Sequence, residues 1–314
     1  MTKPTVVSLF AGAGGLDLGF VQAGFDLVWA NDFDSDAVET YRMNLGDHIV
    51  CGDIASLSTD DIPDCDVLIG GFPCQGFSVA NRKRSTADER NLLYKEYLRI
   101  LHAKRPKVFL AENVKGILSL DGGAVIDMIV SDFQSEGYNV KYRLINAADY
   151  GVPQKRMRVI IVGTREDIAE EFEYPAPSHS GKVQDGLSPW VTMREALEGV
   201  PDPDGPMSDT VPNNVYSRYK VEPRNFTGHR PSDADKPSPT ILARGNGGGG
   251  VCAIPHYNGE RRLSVRESAC IQTFPMEYSF YGKMNSCYRQ IGNAVPVLLA
   301  RELASQIRKL LPDE

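Results

Sequence analysis

The sequence predicts an α/β protein in which a doubly wound parallel sheet is covered by helices and accompanied by a smaller, irregular domain. Three observations support this fold class. In the first half of the chain, short β-branched runs alternate with amphipathic stretches of helical length. A glycine-rich turn follows the first of these runs. After Gly163 the periodicity gives way to a segment rich in Pro, Gly, Ser and Asn.

Each predicted strand is a short run rich in side chains that pack well on a buried, pleated sheet. Strands are predicted at residues 5–9, 27–31, 67–70, 108–111, 138–144 and 158–163. Helices are predicted between them and at the end of the chain, at residues 15–23, 35–44, 91–103, 124–136 and 295–311. Gly24 and Gly137 stand where helix C-caps belong, because glycine readily adopts the left-handed conformation that ends many helices.

The change of composition after Gly163 divides the chain into two predicted domains. Residues 1–164 and 285–314 form the first, and residues 165–284 form a second, irregular domain whose loops carry function. Residues 245–250 read Gly-Asn-Gly-Gly-Gly-Gly. This run predicts either a loop that approaches a ligand closely or a merely flexible connection.

Length and composition are those of a soluble globular protein, with 314 residues, 42% hydrophobic and 24% charged. No apolar run approaches the roughly 18 residues that a membrane helix needs, so no membrane association is expected. The apolar N-terminal run soon meets glycines and Asp17 without a cleavage site, which favours a buried first strand over a signal peptide. A cytoplasmic protein is therefore expected.

The six cysteines form neither a C-x-x-C pair nor a Cys/His pattern at zinc spacing. We therefore expect no disulfide framework and no metal site. Since most free cysteines are small buried hydrophobes, only unusual surroundings make one of them a catalytic candidate.

The net charge of −7 argues mildly against a nucleic-acid partner, but it is unevenly distributed. Residues 213–262 carry eight Lys/Arg against four acids, a local charge of +4. A local basic face matters more for phosphate binding than the overall charge. By itself, this segment could equally be a solvated basic loop.

The first predicted strand runs into a glycine-rich turn at residues 10–15, and then into a helix. Such a turn lets a ligand touch the backbone beside a helix N-terminus. Asp32 ends the second strand, where a carboxylate would meet ribose hydroxyls, and Asp53 follows a third short strand, where it could accept from an adenine amine. The spacing fits the G-x-G-x-x-G of nicotinamide cofactors poorly. A packing role for the glycines and a capping role for either Asp stay open.

A second candidate site lies at residues 70–78, Gly-Gly-Phe-Pro-Cys-Gln-Gly-Phe-Ser, directly after a strand. This places Cys74 at the carboxyl edge of a parallel sheet, where such folds hold their active sites. Pro73 stiffens the turn before Cys74, and Gly76 frees the turn after it. Composition alone leaves a buried structural thiol as the commoner interpretation.

Charged side chains mark the ends of two further strands. Glu112 ends the strand after Cys74, where acids usually cap or pair with a base and only a minority are catalytic. Arg156 and Arg158, two residues apart, are predicted to project from the same face of a strand. The alternative for them is a basic edge strand.

In this order and spacing the blocks resemble the DNA (cytosine-5)-methyltransferases, and most closely the compact bacterial restriction–modification enzymes. The blocks are Phe10-x-Gly12-x-Gly14-Gly15, Cys74-Gln75, Glu112-Asn113-Val114, Gln154-x-Arg156-x-Arg158, Arg266-Glu267-Ser268-Ala269, Gln272-x-Phe274-Pro275 and Gln290-Ile291-Gly292-Asn293-Ala294-Val295-Pro296. They cover the chain except for residues 165–262. The resemblance implies a Rossmann-like, S-adenosylmethionine-dependent methyltransferase fold whose irregular domain recognises the DNA target.

The resemblance also implies the catalytic residues. The Cys74 thiolate would add to carbon-6 of cytosine, which makes carbon-5 nucleophilic. Glu112 would hold ring nitrogen 3 and the exocyclic amine, Arg158 would bind oxygen 2, and Arg156 would support the loop and the charge. Because these ring atoms are inaccessible in a duplex, the cytosine would be flipped out. Residues 73–89 would close over it as a mobile lid.

The cofactor implied by the resemblance is S-adenosylmethionine. The glycine-rich turn would line its methionine part, Asp32 would hold the ribose, and Asp53 with Ile54 would contact the adenine edge. The full predicted set is Phe10, Ala11, Gly12, Gly14, Gly15, Leu16, Asp32, Phe33, Asp53, Ile54, Pro73 and Asn293. Because Asn293 is so late in the chain, the C-terminal helix must return to the first domain.

The resemblance implies double-stranded DNA as the partner. DNA contacts are expected at Gln75 and Ser78, at the Thr240-Ile241 pair, and at Arg244, which could reach a base edge. The enzyme is expected to act as a monomer without a metal, and a cognate restriction endonuclease would be a separate gene product.

Three alternatives compete with this interpretation. A tRNA-modifying relative shares the blocks, but it carries a Cys-Phe-Thr tripeptide in its recognition region that this sequence lacks. A catalytically silent nucleic-acid-binding protein would not need Cys74, Glu112 and the arginines intact. A nicotinamide-dependent oxidoreductase is disfavoured by the glycine spacing.

Overall fold

The structure, a computed structural model, describes residues 2–73, 92–182, 186–219, 221, 232–243 and 254–311, and of Leu92 only the backbone. Four predicted site residues lie outside the described residues, namely Cys74, Gln75, Ser78 and Arg244. The glycine run at residues 245–250 and most of the predicted lid lie outside them as well.

A seven-stranded sheet with the strand order β3-β2-β1-β4-β5-β7-β6 forms the centre of the described chain. The strands are β1 Thr5–Leu9, β2 Asp26–Asp32, β3 Ile49–Cys51, β4 Val67–Gly70, β5 Val108–Val114, β6 Tyr138–Asn146 and β7 Met157–Arg165. All the predicted strands are confirmed, two with identical ends. From β1, the sheet extends through β2 to β3 on one side and through β4 on the other. The neighbours β1 and β4 therefore mark the switch point of the sheet.

The predicted parallel sheet is confirmed except at β7. This strand runs antiparallel to both of its neighbours, β5 and β6. The connection from β6 to β7 spans only residues 147–156 and contains the short 3-10 helix Ala147–Tyr150. A parallel crossover needs roughly a dozen residues or more, so the chain can only turn back beside β6.

Helices cover both faces of this sheet. The helices of the described chain are α1 Gly15–Gln22, α2 Ser35–Leu45, α3 Leu92–Lys104, α4 Ala124–Ser135, α5 Met193–Ala196, α6 Val265–Ile271, α7 Met284–Asn293 and α8 Val297–Arg308. Of these, α5, α6 and α7 contribute to a separate apolar cluster. The first four confirm the predictions within one residue. Gly24 and Gly137 follow α1 and α4 with φ values of 90° and 83°, as their predicted capping role requires.

The C-terminal part of the chain differs from its prediction. The helix predicted at residues 295–311 is α8, which begins after Pro296 and ends at Arg308. α7 was not predicted because it has few apolar residues and includes Gly292, a poor helix former. α6 was not predicted either, although Ser264 and Glu267 form a capping box at its start, a pattern that is readable in the sequence.

One apolar core packs on each face of the sheet, and the first includes α1 and α8. These helices touch at Gly19, where a Cβ atom would lie 2.4 Å from the Cβ of Ala300. The return of the C-terminal helix to the first domain is thereby confirmed. A third cluster joins Ala13 to residues of α5, α6 and α7. It contains residues of both predicted domains, so the division into two domains stays a prediction.

Among the described residues, no helix is both long enough and apolar enough to cross a membrane. No group of three or more His, Cys, Asp or Glu side chains in the same ranges is arranged to hold a metal ion. A pair of two-residue strands, β8 His179–Ser180 and β9 Ser188–Pro189, lies apart from the main sheet.

Candidate active site

The glycine-rich turn connects the carboxyl end of β1 to α1 through strained and crowded backbone. Phe10 and Gly12 have φ values of 55° and 56°, and Gly14 has 76°. A Cβ on Gly14 would lie 2.4 Å from a methyl group of Leu45, whereas one on Gly12 would meet nothing within 4 Å. The turn is therefore packed on the Gly14 side and open at Gly12. A turn with positive φ values and open space beside it, at a helix N-terminus, leaves its backbone groups accessible to a ligand.

Asp32 fixes this turn to the neighbouring strand. Its Oδ2 accepts from the Gly12 N–H at 2.7 Å, and its Oδ1 accepts from the Asp34 N–H at 2.9 Å. Burial raises the pKa of Asp32, and the two backbone donors act against that rise. The carboxylate is thus held at the end of β2 with one oxygen directed at the glycine-rich turn.

The other predicted cofactor residues on this side lie at the ends of β2 and β3. Asp53 is exposed and caps the 3-10 helix Ile54–Ser56 by accepting from the Ala55 N–H at 3.0 Å. The capping role that the sequence left open is therefore present. Ile54 is buried, whereas Phe33 is 75% exposed. The exposed ring of Phe33, directly after the buried carboxylate of Asp32, offers an aromatic face on which a planar ligand could stack.

Asn293 ends α7 and is exposed, directly before a turn that packs on the glycine-rich loop. A Cβ on Gly15 would lie 2.5 Å from the carbonyl oxygen of Val295. Tyr278, from the segment before α7, donates its hydroxyl to the Ala13 carbonyl at 2.6 Å. The structure therefore brings the last family block next to the first one.

The strongest electrostatic pair of the site joins β5 and β7. Arg158 Nε lies 2.6 Å from Glu112 Oε1, and both side chains are about nine-tenths buried. Neither atom has an aligned hydrogen bond among the described residues, so the contact is a charge pair and not a well-aligned hydrogen bond. An antiparallel β7 is what brings Arg158 back to the carboxyl end of β5, where Val114 is its register partner.

The segment leading toward Cys74 lies against the Glu112 end of β5. A Cβ on Gly71 would lie 3.2 Å from Glu112 Oε2. Asn113 donates its side-chain amide to the Phe72 carbonyl at 3.0 Å. The last described residues before the gap therefore approach the Glu112 carboxylate, although Cys74 itself lies outside the described residues.

Arg156 has different neighbours from Arg158. It is fully buried, and its guanidinium donates to the carbonyls of Ile241, Gly292 and Ala294 at 3.0, 2.9 and 2.9 Å. Burial, followed by the nearby Arg158 charge, lowers the pKa of Arg156 to about 9, which still leaves it protonated at neutral pH. Because β7 lies between β5 and β6, the alternative of a basic edge strand is wrong.

The predicted Thr240–Ile241 pair lies along the approach to β7. Thr240 Oγ1 donates to the Lys155 carbonyl at 2.6 Å, and the Ile241 N–H donates to Gln154 Oε1 at 2.9 Å. Ile241 is buried, and Thr240 is partly exposed. The two residues are thus anchored within reach of the arginine block.

One buried acid near the site was missed by the sequence reasoning. Asp17 lies in the first turn of α1 and is fully buried. It accepts from Tyr41 Oη at 3.0 Å, and Tyr41 Oη also contacts His48 Nε2 at 3.0 Å. Burial raises the pKa of Asp17 to about 6, against the effect of Tyr41 and Ser8 and with that of Asp32. Ser8 Oγ is near, but its alignment does not make a hydrogen bond to Asp17 Oδ2.

We expect an Asp17→Asn variant to be more stable than the parent at pH 7. Folded Asp17 binds its proton more tightly than the unfolded chain does, so its stabilising effect is complete below pH 3.8 and disappears as the pH rises through about 6. The pKa difference corresponds to about 3 kcal/mol. Urea unfolding of both proteins from pH 4 to 8 measures it. A stability difference that does not change with pH contradicts this assignment.

Comparison with known proteins shows the family of the chain. Residues 4–309 match the family model of the C-5 cytosine-specific DNA methylases. The chain is 42% identical to the Type II methyltransferase M.NgoFVII of Neisseria gonorrhoeae, across 99% of this chain and 88% of that protein. It is 38% identical to the Type II methyltransferase M.BspRI of Lysinibacillus sphaericus, across 99% of this chain and 83% of that protein.

Solved structures show the same fold. A prophage-encoded E. coli protein, described as a candidate DNA modification methyltransferase, superposes with a TM-score of 0.77 at 25% identity, covering 99% of this chain and 100% of that chain. The S. pombe Dnmt2 methyltransferase superposes with a TM-score of 0.71 at 19% identity, with the same coverage. The predicted Rossmann-like methyltransferase fold is confirmed. The chain belongs to the C-5 cytosine-specific DNA methylase family and is a DNA (cytosine-5)-methyltransferase.

Proposed function

We propose that this enzyme transfers the methyl group of S-adenosylmethionine to carbon-5 of a cytosine within a specific duplex DNA sequence, through a covalent adduct between Cys74 and a flipped-out base. The observation that carries the proposal is the buried Glu112–Arg158 pair, 2.6 Å apart, at the strand end approached by the segment leading to Cys74. This is a carboxylate and a guanidinium side by side, an acceptor and a donor group that together suit the polar edge of a cytosine.

The two charged groups would divide the polar edge of the base between them. Glu112 would accept from the exocyclic amine and share a proton with ring nitrogen 3, and Arg158 would donate to oxygen 2. Thymine has a carbonyl where cytosine has the amine, so Glu112 would select cytosine. Both side chains are about one-tenth exposed, and a base that covers them would strengthen these interactions by excluding water.

The reaction follows from cytosine chemistry. The Cys74 thiolate forms a bond to carbon-6, and the electron pair of the carbon-5–carbon-6 double bond makes carbon-5 nucleophilic. S-adenosylmethionine supplies an electrophilic methyl group on a sulfonium centre when it is bound. After carbon-5 has been methylated, it loses its proton to water or hydroxide, the double bond re-forms, and Cys74 leaves as the thiolate. Glu112 and Arg158 would stabilise the electron-rich ring throughout.

Arg156 serves as a positioning residue in this scheme. Its donors are directed at three backbone carbonyls, so its guanidinium holds the Ile241 and Gly292–Ala294 segments together. Its charge lies close enough to Arg158 to depress its own pKa, and it adds positive potential beneath the base.

The residues around the glycine-rich turn fit an adenosine cofactor. Gly12 is open on its Cβ side, Phe33 offers an exposed aromatic face, and Asp32 is a buried carboxylate. Each Asp32 oxygen already accepts one backbone N–H, but a carboxylate has about four acceptor positions, which leaves capacity for ribose hydroxyls. We assign the cofactor site to the twelve residues that the sequence predicted, with Asn293 and Pro73 at its closing end.

We expect Asp32→Ala and Asp53→Ala to weaken S-adenosylmethionine binding far more than DNA binding. Each loses a charge-assisted hydrogen bond worth about 1.5–3 kcal/mol, or roughly 10- to 100-fold in Kd. Asp32→Ala should have the larger effect because it also releases the Gly12 and Asp34 N–H groups. Calorimetric titration of cofactor and of DNA measures both affinities. Unchanged cofactor affinity in both variants would place the cofactor elsewhere.

Specificity for the surrounding bases would be encoded in residues 165–284, since the catalytic blocks contact only the target cytosine. Thr240 and Ile241 are anchored beside the arginine block, and Arg244 follows them after two residues. We assign the reading of the target to this stretch, with further DNA contacts from Gln75 and Ser78. The enzyme would act as a monomer, alongside any cognate endonuclease encoded separately.

An assay with three nucleic acids tests the proposed function. The purified protein is incubated with S-adenosylmethionine labelled in its methyl group and with duplex DNA, single-stranded DNA or tRNA. We expect label in duplex DNA, located by bisulfite sequencing at cytosines of one recurrent sequence. Label confined to tRNA would overturn the DNA substrate, and label at adenine or at the cytosine amine would overturn the carbon-5 chemistry.

A further inference from the structure

Two buried glutamines form a chain of hydrogen bonds beside the active site. Gln154 precedes β7, Gln272 follows α6, and both side chains are fully buried. Gln154 Nε2 donates to Gln272 Oε1 at 2.9 Å. Gln272 Nε2 donates in turn to the carbonyls of Ile291 and Ala294, at 2.6 and 3.2 Å.

The orientation of both amides is fixed by their backbone partners. Gln154 Oε1 accepts from the Ile241 N–H at 2.9 Å, so its nitrogen must face Gln272. Gln272 faces two carbonyls with its nitrogen, so its oxygen must face Gln154. The chain therefore runs in one direction, from the Ile241 N–H through two side chains to the end of α7. We call these two residues the amide relay.

The relay connects two segments with different tasks in the proposed function. At one end, residues 238–241 run alongside the segment that precedes β7. There the Lys155 N–H donates to the Ser238 carbonyl, and the Ser238 N–H donates to the Pro153 carbonyl, both at 2.9 Å. At the other end are Ile291 and Ala294, on either side of Asn293, which we assigned to the cofactor pocket.

A second contact joins the same two segments without a gap. A Cβ on Gly292 would lie 2.4 Å from the carbonyl carbon of Leu242 and 2.5 Å from the Ala243 nitrogen. Backbone therefore packs directly on backbone here. A displacement of residues 241–243 must be passed to Gly292 and Asn293, because a close-packed interior leaves no space to absorb it.

We propose that Gln154 and Gln272 are positioning residues that couple the DNA-reading segment at Thr240–Ile241 to the cofactor-closing turn at Asn293, so that target DNA and cofactor bind cooperatively. This inference rests on the proposed function, because it uses the roles assigned there to both segments. A buried amide that loses one partner leaves the other unsatisfied, so the two ends of the relay are stable only in matched positions. A ligand that fixes one end thereby favours the bound arrangement of the other.

The test is a binding cycle with S-adenosylhomocysteine, which cannot donate a methyl group. Its Kd is measured by calorimetry on the whole protein, alone and with a saturating duplex whose sequence is selected by binding from a random pool. We expect the duplex to tighten binding by about fivefold or more in the parent, within the usual range of coupling between sites. In Gln154→Met, which keeps the volume but loses both hydrogen bonds, this factor should fall clearly below the parent's value, while the backbone packing at Gly292 keeps it above one.

Two further variants separate coupling from general damage to the fold. Gln154→Glu should retain the coupling at about pH 6, because a buried carboxyl with a raised pKa is protonated there and can both accept from Ile241 and donate to Gln272. Gln290→Met removes another buried amide of α7, one that bonds to Thr40 and Tyr281 rather than to the relay. This variant should retain the parent's coupling factor even if it lowers the stability of the fold.

Three outcomes would overturn the inference. They are a parent without coupling, a Gln154→Met variant that keeps the parent's coupling factor, and a Gln290→Met variant that loses it equally. Methyl transfer to the same duplex is measured on the same parent preparation. If the parent methylates the duplex and Gln154→Met keeps the coupling between cofactor and DNA binding, only the relay is contradicted. If the parent shows this coupling but transfers no methyl group, only the proposed function is contradicted.

Discussion

Replacing Cys74 by Ala is expected to abolish methyl transfer, with a loss of roughly 10⁴-fold or more. Without the thiolate, carbon-6 receives no nucleophile and carbon-5 stays too electron-poor to attack a methyl donor. The change removes a single sulfur atom, so the variant should still fold and should bind S-adenosylmethionine with the parent's affinity. Single-turnover methylation and calorimetric titration measure the two properties separately.

The matched control is Cys65→Ala, at the opposite end of β4 from the candidate site. Burial raises the pKa of Cys65 to about 12, so this thiol is protonated at neutral pH and is a poor nucleophile. The control should methylate DNA at the parent's rate. Substantial turnover by Cys74→Ala would show that Cys74 is not the nucleophile.

Replacing Glu112 by Gln is expected to lower the rate of methyl transfer by about 10²- to 10³-fold. The variant keeps the size of the side chain but loses the negative charge that faces the base and Arg158. It should also be less stable, because a buried arginine without its partner costs about 3–5 kcal/mol. Single-turnover rates and urea unfolding check the two effects on one preparation.

A double variant separates these two roles of Glu112. Glu112→Gln combined with Arg158→Met removes both charges of the pair, which should recover most of the stability because Arg158 no longer leaves a buried charge beside a neutral side chain, while Arg156 keeps its three carbonyl partners. Activity should stay low, since the base has lost both of its polar contacts. Recovery of methyl transfer together with stability would mean that the pair is only structural.

The first half of the fold could be predicted because local patterns determine it. Buried parallel strands are apolar throughout, and the amphipathic helices between them have distinct capping glycines, so the elements are readable one by one. The direction of β7 depends instead on the length of the connection from β6 and on the insertion of β7 between β5 and β6. Hydrophobic periodicity reports neither of these. The buried residues of α6 and α7 join a cluster that includes Ala13 of the glycine-rich turn, and this tertiary contact is not visible in a local pattern.

The site was predictable where a side chain ends a strand. Asp32 and Glu112 could be located because the carboxyl ends of neighbouring strands meet at one edge of a sheet. The surroundings of Arg156 could not be predicted, since its three partners are backbone carbonyls more than 80 residues away in sequence. Asp17 and the amide relay were missed for a related reason. Their burial is a tertiary property, and a single Asp or Gln in a sequence gives no sign of it.

The central claim, that methyl transfer passes through a covalent bond between Cys74 and cytosine carbon-6, has one direct test. The target cytosine of a duplex is replaced by 5-fluorocytosine, and the protein is incubated with this DNA and S-adenosylmethionine. Because fluorine cannot leave as a proton does, the adduct cannot eliminate Cys74. We predict a protein–DNA species that survives a denaturing gel and whose DNA-bearing peptide contains Cys74. An enzyme that methylates ordinary cytosine but forms no such species, or forms it through another residue, would contradict the account.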